Sequence, residues 1–280
     1  MTSADQLALR DAAAAGDSAA FETLFVAEIP KLRGVLRRMV GHPDDVDELV
    51  QQSLLKAFEG IAGFRVDAAA GTWLCSIGAR LAIDHLRSRK RWRERAQVMF
   101  ASACLEDPAL GTQVGAAFAA PDFAFDVNQH IAYCFTCIGR SLEPEQQAAL
   151  VLRDVLELDN AAAAKALGLS RSVLRHRLAD ARSAMTQSYE GLCALVNKQG
   201  ACWQCAGLRD AAGGGGPPPP AHLPWDDRIR RVREATHSEN VSAGLHDVFF
   251  RHTEVQEETG AGDEAAMTEC GRPTRDGEQT

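Results

Sequence analysis

The sequence predicts an all-α fold: two small helical domains joined by a flexible linker, followed by a largely disordered C-terminal extension. Three observations lead there. Apolar residues recur at spacings of three and four through most of residues 18–196, the period of helices with one buried face. Alanine runs are frequent, and aromatic residues make up only 6% of the chain, which favours helices over sheets. Folded sequence then stops at the run from Gly213 to Pro220, where a flexible glycine tract meets a stiff proline tract. The expected boundaries are 5–95 for the first domain, 96–127 for the linker, 128–208 for the second domain and 209–280 for the extension. At 280 residues the chain is long enough for two cores. It has no apolar stretch long enough to span a membrane, and its start, Met1-Thr2-Ser3-Ala4-Asp5, has no signal-peptide pattern, so the expected compartment is the cytoplasm.

In the first domain, residues 5–15 read as a short helix ended by Gly16-Asp17. Residues 18–40 form a second helical run, with Phe21, Leu24, Phe25, Ile29, Leu32, Val35, Leu36 and Met39 on one stripe; Pro30 should kink or divide it. After the turn Gly41-His42-Pro43, a helix opens with Asp44, Asp45, Asp47 and Glu48, carboxylates that suit a helix N-terminus. Its buried stripe is Val46, Leu49, Val50, Leu54 and Phe58, and by itself its acidic side reads as a solvated face. Residues 60–72 read as a loop, with Thr72 capping a helix from Trp73 to about Arg93. On that helix Arg80, Asp84, Arg87 and Arg91 share one face, and Arg89, Lys90, Arg93 and Arg95 thicken the positive charge. A basic stripe beside an aromatic residue suits phosphates and an unstacked base.

Residues 96–127, with Pro108, Gly111, Gly115 and Pro121, read as linker. In the second domain Ile131, Phe135 and Ile138 predict a helix to Gly139, and Glu143-Pro144-Glu145 starts another. Alanines 161–166 then make a small-faced helix that must stop at Gly168, and Ser170 is placed to cap the next. There Val173, Leu174 and Leu178 form the buried side, with Arg171, Arg175, His176, Arg177 and Arg182 on the other. These residues alone leave two readings open. One is a helix-turn-helix whose second helix enters the DNA major groove; the other is a helical hairpin with a solvated basic face. Two short helices are expected around 225–235 and 243–251, amid acidic sequence.

The net charge of −8 does not exclude nucleic acid, because the charge is segregated: basic residues crowd into 80–95 and 171–182, acidic ones into 44–48 and the last thirty positions. The eight cysteines include two C-x-x-C pairs, Cys134/Cys137 and Cys202/Cys205, which bracket the second domain. Four thiolates suit one tetrahedral zinc; a redox dithiol and an iron–sulfur cluster are the alternatives, and plain buried cysteine is the bland one. Cys193 is a spare ligand or core, and Cys75, Cys104 and Cys270 stay unassigned.

In this order the parts resemble the extracytoplasmic-function (ECF) group of bacterial sigma-70 factors, over roughly residues 5–190. The stretch Asp44 to Ser53 looks like that group's region 2.2, which docks on the clamp helices of core RNA polymerase. The resemblance therefore implies a polymerase-binding set of Asp45, Asp47, Glu48, Leu49, Gln51 and Gln52, with Leu49 as apolar anchor. Thr72-Trp73-Leu74 with Ile83-Asp84-His85-Leu86-Arg87 looks like regions 2.3 and 2.4, which melt and read the −10 promoter element. That implies −10 contacts from Phe64, Arg65, Trp73, Arg80, Asp84, Arg87 and Arg91. Residues from Leu152 to Arg182 look like region 4, which reads the −35 element: Arg171, Ser172, Arg175 and His176 in the major groove, Arg177 and Arg182 nearer phosphates. The group often has an aromatic and a basic residue where this chain has Ala70 and Gly71, and Arg-Asn where it has Ala79-Arg80.

The function implied is a promoter-specificity subunit with no reaction of its own and no required cofactor. Its partners are core RNA polymerase, promoter DNA and an anti-sigma factor, with no membrane. The alternative is a stand-alone helix-turn-helix regulator that senses metal or redox state through its cysteines. Acidic residues of the extension (Glu254, Glu257, Glu258, Asp263, Glu264) are expected to compete with DNA for the basic faces, so that deleting 211–280 raises promoter binding.

Overall fold

The computed structural model describes residues 3–65, 69–88, 100, 103–104, 106–118, 127–193, 223–235 and 248–251. Every element of secondary structure among them is a helix or helical turn, as the sequence predicts. In the first unit α1 (Ser3–Ala14) ends before Gly16, and the Asp17 carboxylate accepts from the Ala19 and Ala20 amides to start α2 (Ser18–Phe25). A 3-10 turn over Val26–Glu28 separates α2 from α3 (Ile29–Met39). Pro30 thus divides the run, sitting in a first turn where its missing N–H costs nothing. α4 (Pro43–Glu59) and α5 (Ala70–Ser88) complete the unit. α5 starts earlier than its sequence suggests, because the Ala69 carbonyl already accepts from Thr72 and Trp73; Thr72 lies inside the first turn and is not the cap. Leu32 and Leu36 of α3, Val46 and Leu49 of α4, and Leu74 and Ala79 of α5 close the core between these three helices.

The expected linker contains a helix, α6 (Pro108–Phe118). Its signal was an Asp-Pro pair: Asp107 accepts from the Ala109 amide at 2.8 Å, and Pro108 takes the first helical position.

The second unit holds α7 (Val127–Gly139), α8 (Pro144–Leu150) with a π turn over Val151–Val155, α9 (Asn160–Leu167) and α10 (Arg171–Leu192). The extension adds α11 (Trp225–Glu234) and a helical turn at 248–251, both where short helices are expected; positions 243–247 of the second lie outside the described residues.

The two units are packed against each other. Gln147 of α8, with no exposed surface, donates to the Met39 carbonyl at 2.9 Å and the Arg38 carbonyl at 3.2 Å, and Arg140 donates to the Val40 carbonyl at 3.1 Å. Side chains of the second unit thereby satisfy carbonyls that α3 leaves open at its C-terminus.

A buried histidine makes this packing acid-sensitive. His130 of α7 lies wholly inside, 3.7 Å from the Cys134 sulfur, and burial pushes its pKa down from 6.5 to about 4. Between those values the unfolded chain takes up a proton that the folded chain refuses, so stability falls as pH falls through that window, by roughly 3 kcal/mol. Urea midpoints at pH 7 and pH 4.5 should therefore diverge more in the wild type than in His130→Gln. Equal divergence would exclude His130 as the cause.

Candidate protein- and nucleic-acid-binding surfaces

Three faces collect the residues singled out by sequence. The first lies on α4. Asp47, Glu48 and Gln51 are exposed, and the Gln52 amide donates to Glu48. Asp45 and Leu49 depart from the expected set, because both turn inward. Asp45 meets the His85 imidazole at 3.3 Å, and Leu49 is only 3% exposed in the core. The exposed apolar side chain on this face is instead Leu55, 64% exposed, with Phe58 beside it. Positions 44, 47/48, 51 and 55 fall on one helical stripe, so the same period that defined the core could have found it.

The second face lies on and before α5. Phe64 is a core residue, not a contact: its ring is fully buried between Phe25 and Trp73, at centroid distances of 5.8 and 5.1 Å. Trp73 is half-buried in the same cluster, 5.7 Å from Phe25, which makes it a fixed wall. Arg65, Arg80, Asp84 and Arg87 are exposed; Arg91 lies outside the described residues. Arg80 donates to the Ala166 carbonyl at 2.7 Å and the Lys165 carbonyl at 3.2 Å, and Arg87 pairs with Glu145 of α8. Burial alone would raise the Glu145 carboxyl; its own backbone amide and the guanidinium groups of Arg87 and Arg177 hold it below the usual carboxylate range. Glu145 went unnoticed in the sequence, where it reads as a helix-start residue.

The third face is the turn between α9 and α10. Asp159 caps α9 through the Ala161 and Ala162 amides. Gly168 takes φ +67°, a left-handed conformation that closes α9 with bonds from its amide to the Ala164 and Lys165 carbonyls. Ser170 then accepts from the Val173 amide and starts α10. Leu174, Leu178, Ala181 and Met185 form the inner stripe. Val173 lies off that stripe and is 41% exposed, contrary to the sequence reading. Arg171, Ser172, Arg175 and His176 all face outward from the first turns. Arg177 is half-buried, 3.6 Å from Glu145. Arg182 does not reach toward phosphates: its guanidinium makes a two-point pair with the buried Asp154, at 2.9 and 2.6 Å.

Of the cysteines, Cys134 and Cys137 are buried one turn apart on α7, while Cys202 and Cys205 lie outside the described residues. Among the described residues no group of three or more His, Cys, Asp or Glu side chains is placed to hold a metal. Burial pushes the Cys75 thiol up to about 12. No described helix is long and apolar enough to cross a membrane.

Family models place these faces in context. The model for Sigma-70 region 2 matches residues 24–92, and that for Sigma-70, region 4 matches residues 134–185. The chain is 29% identical over 173 residues to the ECF RNA polymerase sigma factor SigM of Mycobacterium tuberculosis, covering 62% of this chain and 79% of that protein. It is 27% identical over 180 residues to the RNA polymerase sigma factor NccH of Alcaligenes xylosoxydans xylosoxydans, covering 64% and 91%. A solved structure of CnrH in complex with the cytosolic domain of CnrY is similar at 23% identity and a TM-score of 0.40, over 66% of this chain and 96% of that one.

Proposed function

We infer the work of the three faces from the family to which the chain belongs, the extracytoplasmic-function group of sigma-70 factors. It binds core RNA polymerase, recognises promoter DNA and initiates transcription. In our reading the polymerase supplies the chemistry and this chain carries no reaction of its own. The exposed carboxylates of α4, with Leu55 at their end, dock on a basic surface of core polymerase. Arg65, Arg80 and Arg87 hold the backbone of the −10 element beside the aromatic wall of Trp73. Opening the duplex costs a few kcal/mol per base, and capture of unstacked bases offsets it. Arg171, Ser172, Arg175 and His176 read the −35 element from the major groove.

The observation that carries this reading is the turn at Gly168 and Ser170, which presents four polar and basic side chains together from the first turns of α10. Run-off transcription with purified core enzyme tests it; absence of both core binding and transcript would sink it. A stand-alone regulator is not favoured, since it needs neither the acidic face of α4 nor the basic face of α5. A separate anti-sigma factor belongs to the proposal as a further partner. So does zinc on Cys134, Cys137, Cys202 and Cys205, supported by the one-turn spacing of the first pair. Cobalt substitution should then give thiolate-to-metal absorption bands, and their absence would remove the metal.

A further inference from the structure

The extension is fastened to both units. α11 lays Ile229 and Val232 on α7 and the π turn, both buried. Arg231 donates to Asn128 at 3.0 Å and Arg233 to the Asp154 carbonyl at 2.7 Å, both in the second unit. From the first unit, Arg38 donates to the Val232 carbonyl at 2.6 Å. Further along, Phe249 stacks edge-on against Tyr133 at 5.0 Å. The Phe250 ring sits over Gly41 so closely that a Cβ there would lie 2.4 Å from it, and only glycine permits this approach. Arg251 pairs with Asp44 at the start of α4, one oxygen at 2.9 Å.

The units so fastened cannot read a promoter. Elements at −10 and −35 are ~25 base pairs apart, about 85 Å along B-form DNA at roughly 3.4 Å per step. Here the helix assigned to one element touches the motif assigned to the other: Arg80 lies 2.7 Å from the Ala166 carbonyl, and Glu145 binds both Arg87 and Arg177. Arg80, Arg87 and Arg177 are engaged within the protein.

We propose that α11 and the helical turn at 248–251 act together as a strap that holds the two promoter-reading units closed in the free protein, and that the strap must release before promoter DNA is engaged. This rests on the function inferred above. The strap also contains its own weak point. Arg228 is 1% exposed, and the contacts of its guanidinium are the Tyr189 ring at 3.6 Å and the Cys193 sulfur at 3.8 Å, with no carboxylate among the described residues. One of its nitrogens, Nη1, is buried without a hydrogen bond. Burying this guanidinium costs desolvation that a ring face and a sulfur offset, and the unbonded Nη1 leaves part of that cost standing, which keeps the strap releasable.

The test uses the full chain, with a donor and an acceptor dye on non-natural residues at the exposed positions Lys56 and Ser183. A triple variant, Arg228→Glu with Phe249→Ser and Phe250→Ser, should lower energy transfer at least two-fold while the helical circular dichroism of both units persists. If the wild type is closed nine times in ten, opening it tightens apparent binding to core polymerase and promoter about ten-fold. Arg251→Asp should lower transfer less, and adding Asp44→Arg should restore it, a rescue that misfolding cannot mimic. Unchanged transfer in the triple variant overturns the strap. So does lower transfer with no gain in promoter binding by a protein whose wild type transcribes. If neither form binds core polymerase, the functional reading falls, and energy transfer still decides whether the strap closes the units.

Discussion

Asp47→Lys combined with Glu48→Lys should weaken binding to core RNA polymerase by about 100-fold, which corresponds to roughly 2.7 kcal/mol. Both carboxylates are exposed on α4, so the change acts on the partner and not on the core. Close charge pairs across an interface couple by about 1.5–7 kcal/mol, and reversal turns attraction into repulsion. Asp47 meets Arg33 on the surface, an exposed pair whose loss barely moves stability. Leu55→Asp should add to the defect by removing the apolar anchor. Leu49→Asp would give a different failure, loss of folding, since Leu49 is buried. Titration of labelled core enzyme, with thermal unfolding in parallel, separates the two. Full affinity in the Asp47/Glu48/Leu55 variant would mean that α4 is not the docking face.

The second large effect is expected on α10. Arg171→Ala and Arg175→Ala should each cost about 1–3 kcal/mol in −35-dependent initiation, roughly five- to 150-fold, with relaxed base preference at the contacted position. Run-off transcription from promoters with single −35 substitutions reads both quantities. Arg182→Ala should also lower output, but through stability. It leaves the buried Asp154 carboxylate without its two-point partner, and because the guanidinium itself is half exposed the loss costs roughly 1–3 kcal/mol. Its defect should therefore shift with temperature and leave base preference intact. If Arg182→Ala relaxes preference and Arg171→Ala does not, the assignment of roles on α10 is inverted.

Much of this architecture was legible in the residues. Gly168 and Ser170 marked the turn between α9 and α10 because each has a local physical reason to be there, a left-handed backbone and a side-chain cap. Pro30 marked a break for the same kind of reason. What escaped was decided by packing. Acidic residues at a helix start give no sign of which will turn inward, and Asp45 does so because His85, forty positions away, lies opposite it. Phe64 and Trp73 looked like stacking surfaces, but they pack on each other and on Phe25 in a ring cluster. The meeting of the two units depends on Gln147 reaching the end of α3, a contact between segments more than a hundred residues apart that no local pattern announces.

Glu145 has a consequence for how ionic strength acts on this protein. Arg87 and Arg177 face a carboxylate before they face a phosphate. Each arginine that neutralises a phosphate normally frees counterions, and log K falls with log salt at a slope of about −0.9 per contact. Here the same step strips a carboxylate of its guanidinium partners, and Glu145 gathers cations from solution in return. Part of the release is cancelled, so the salt dependence of promoter binding should be shallower than the number of arginine–phosphate contacts implies. Glu145→Gln should steepen it.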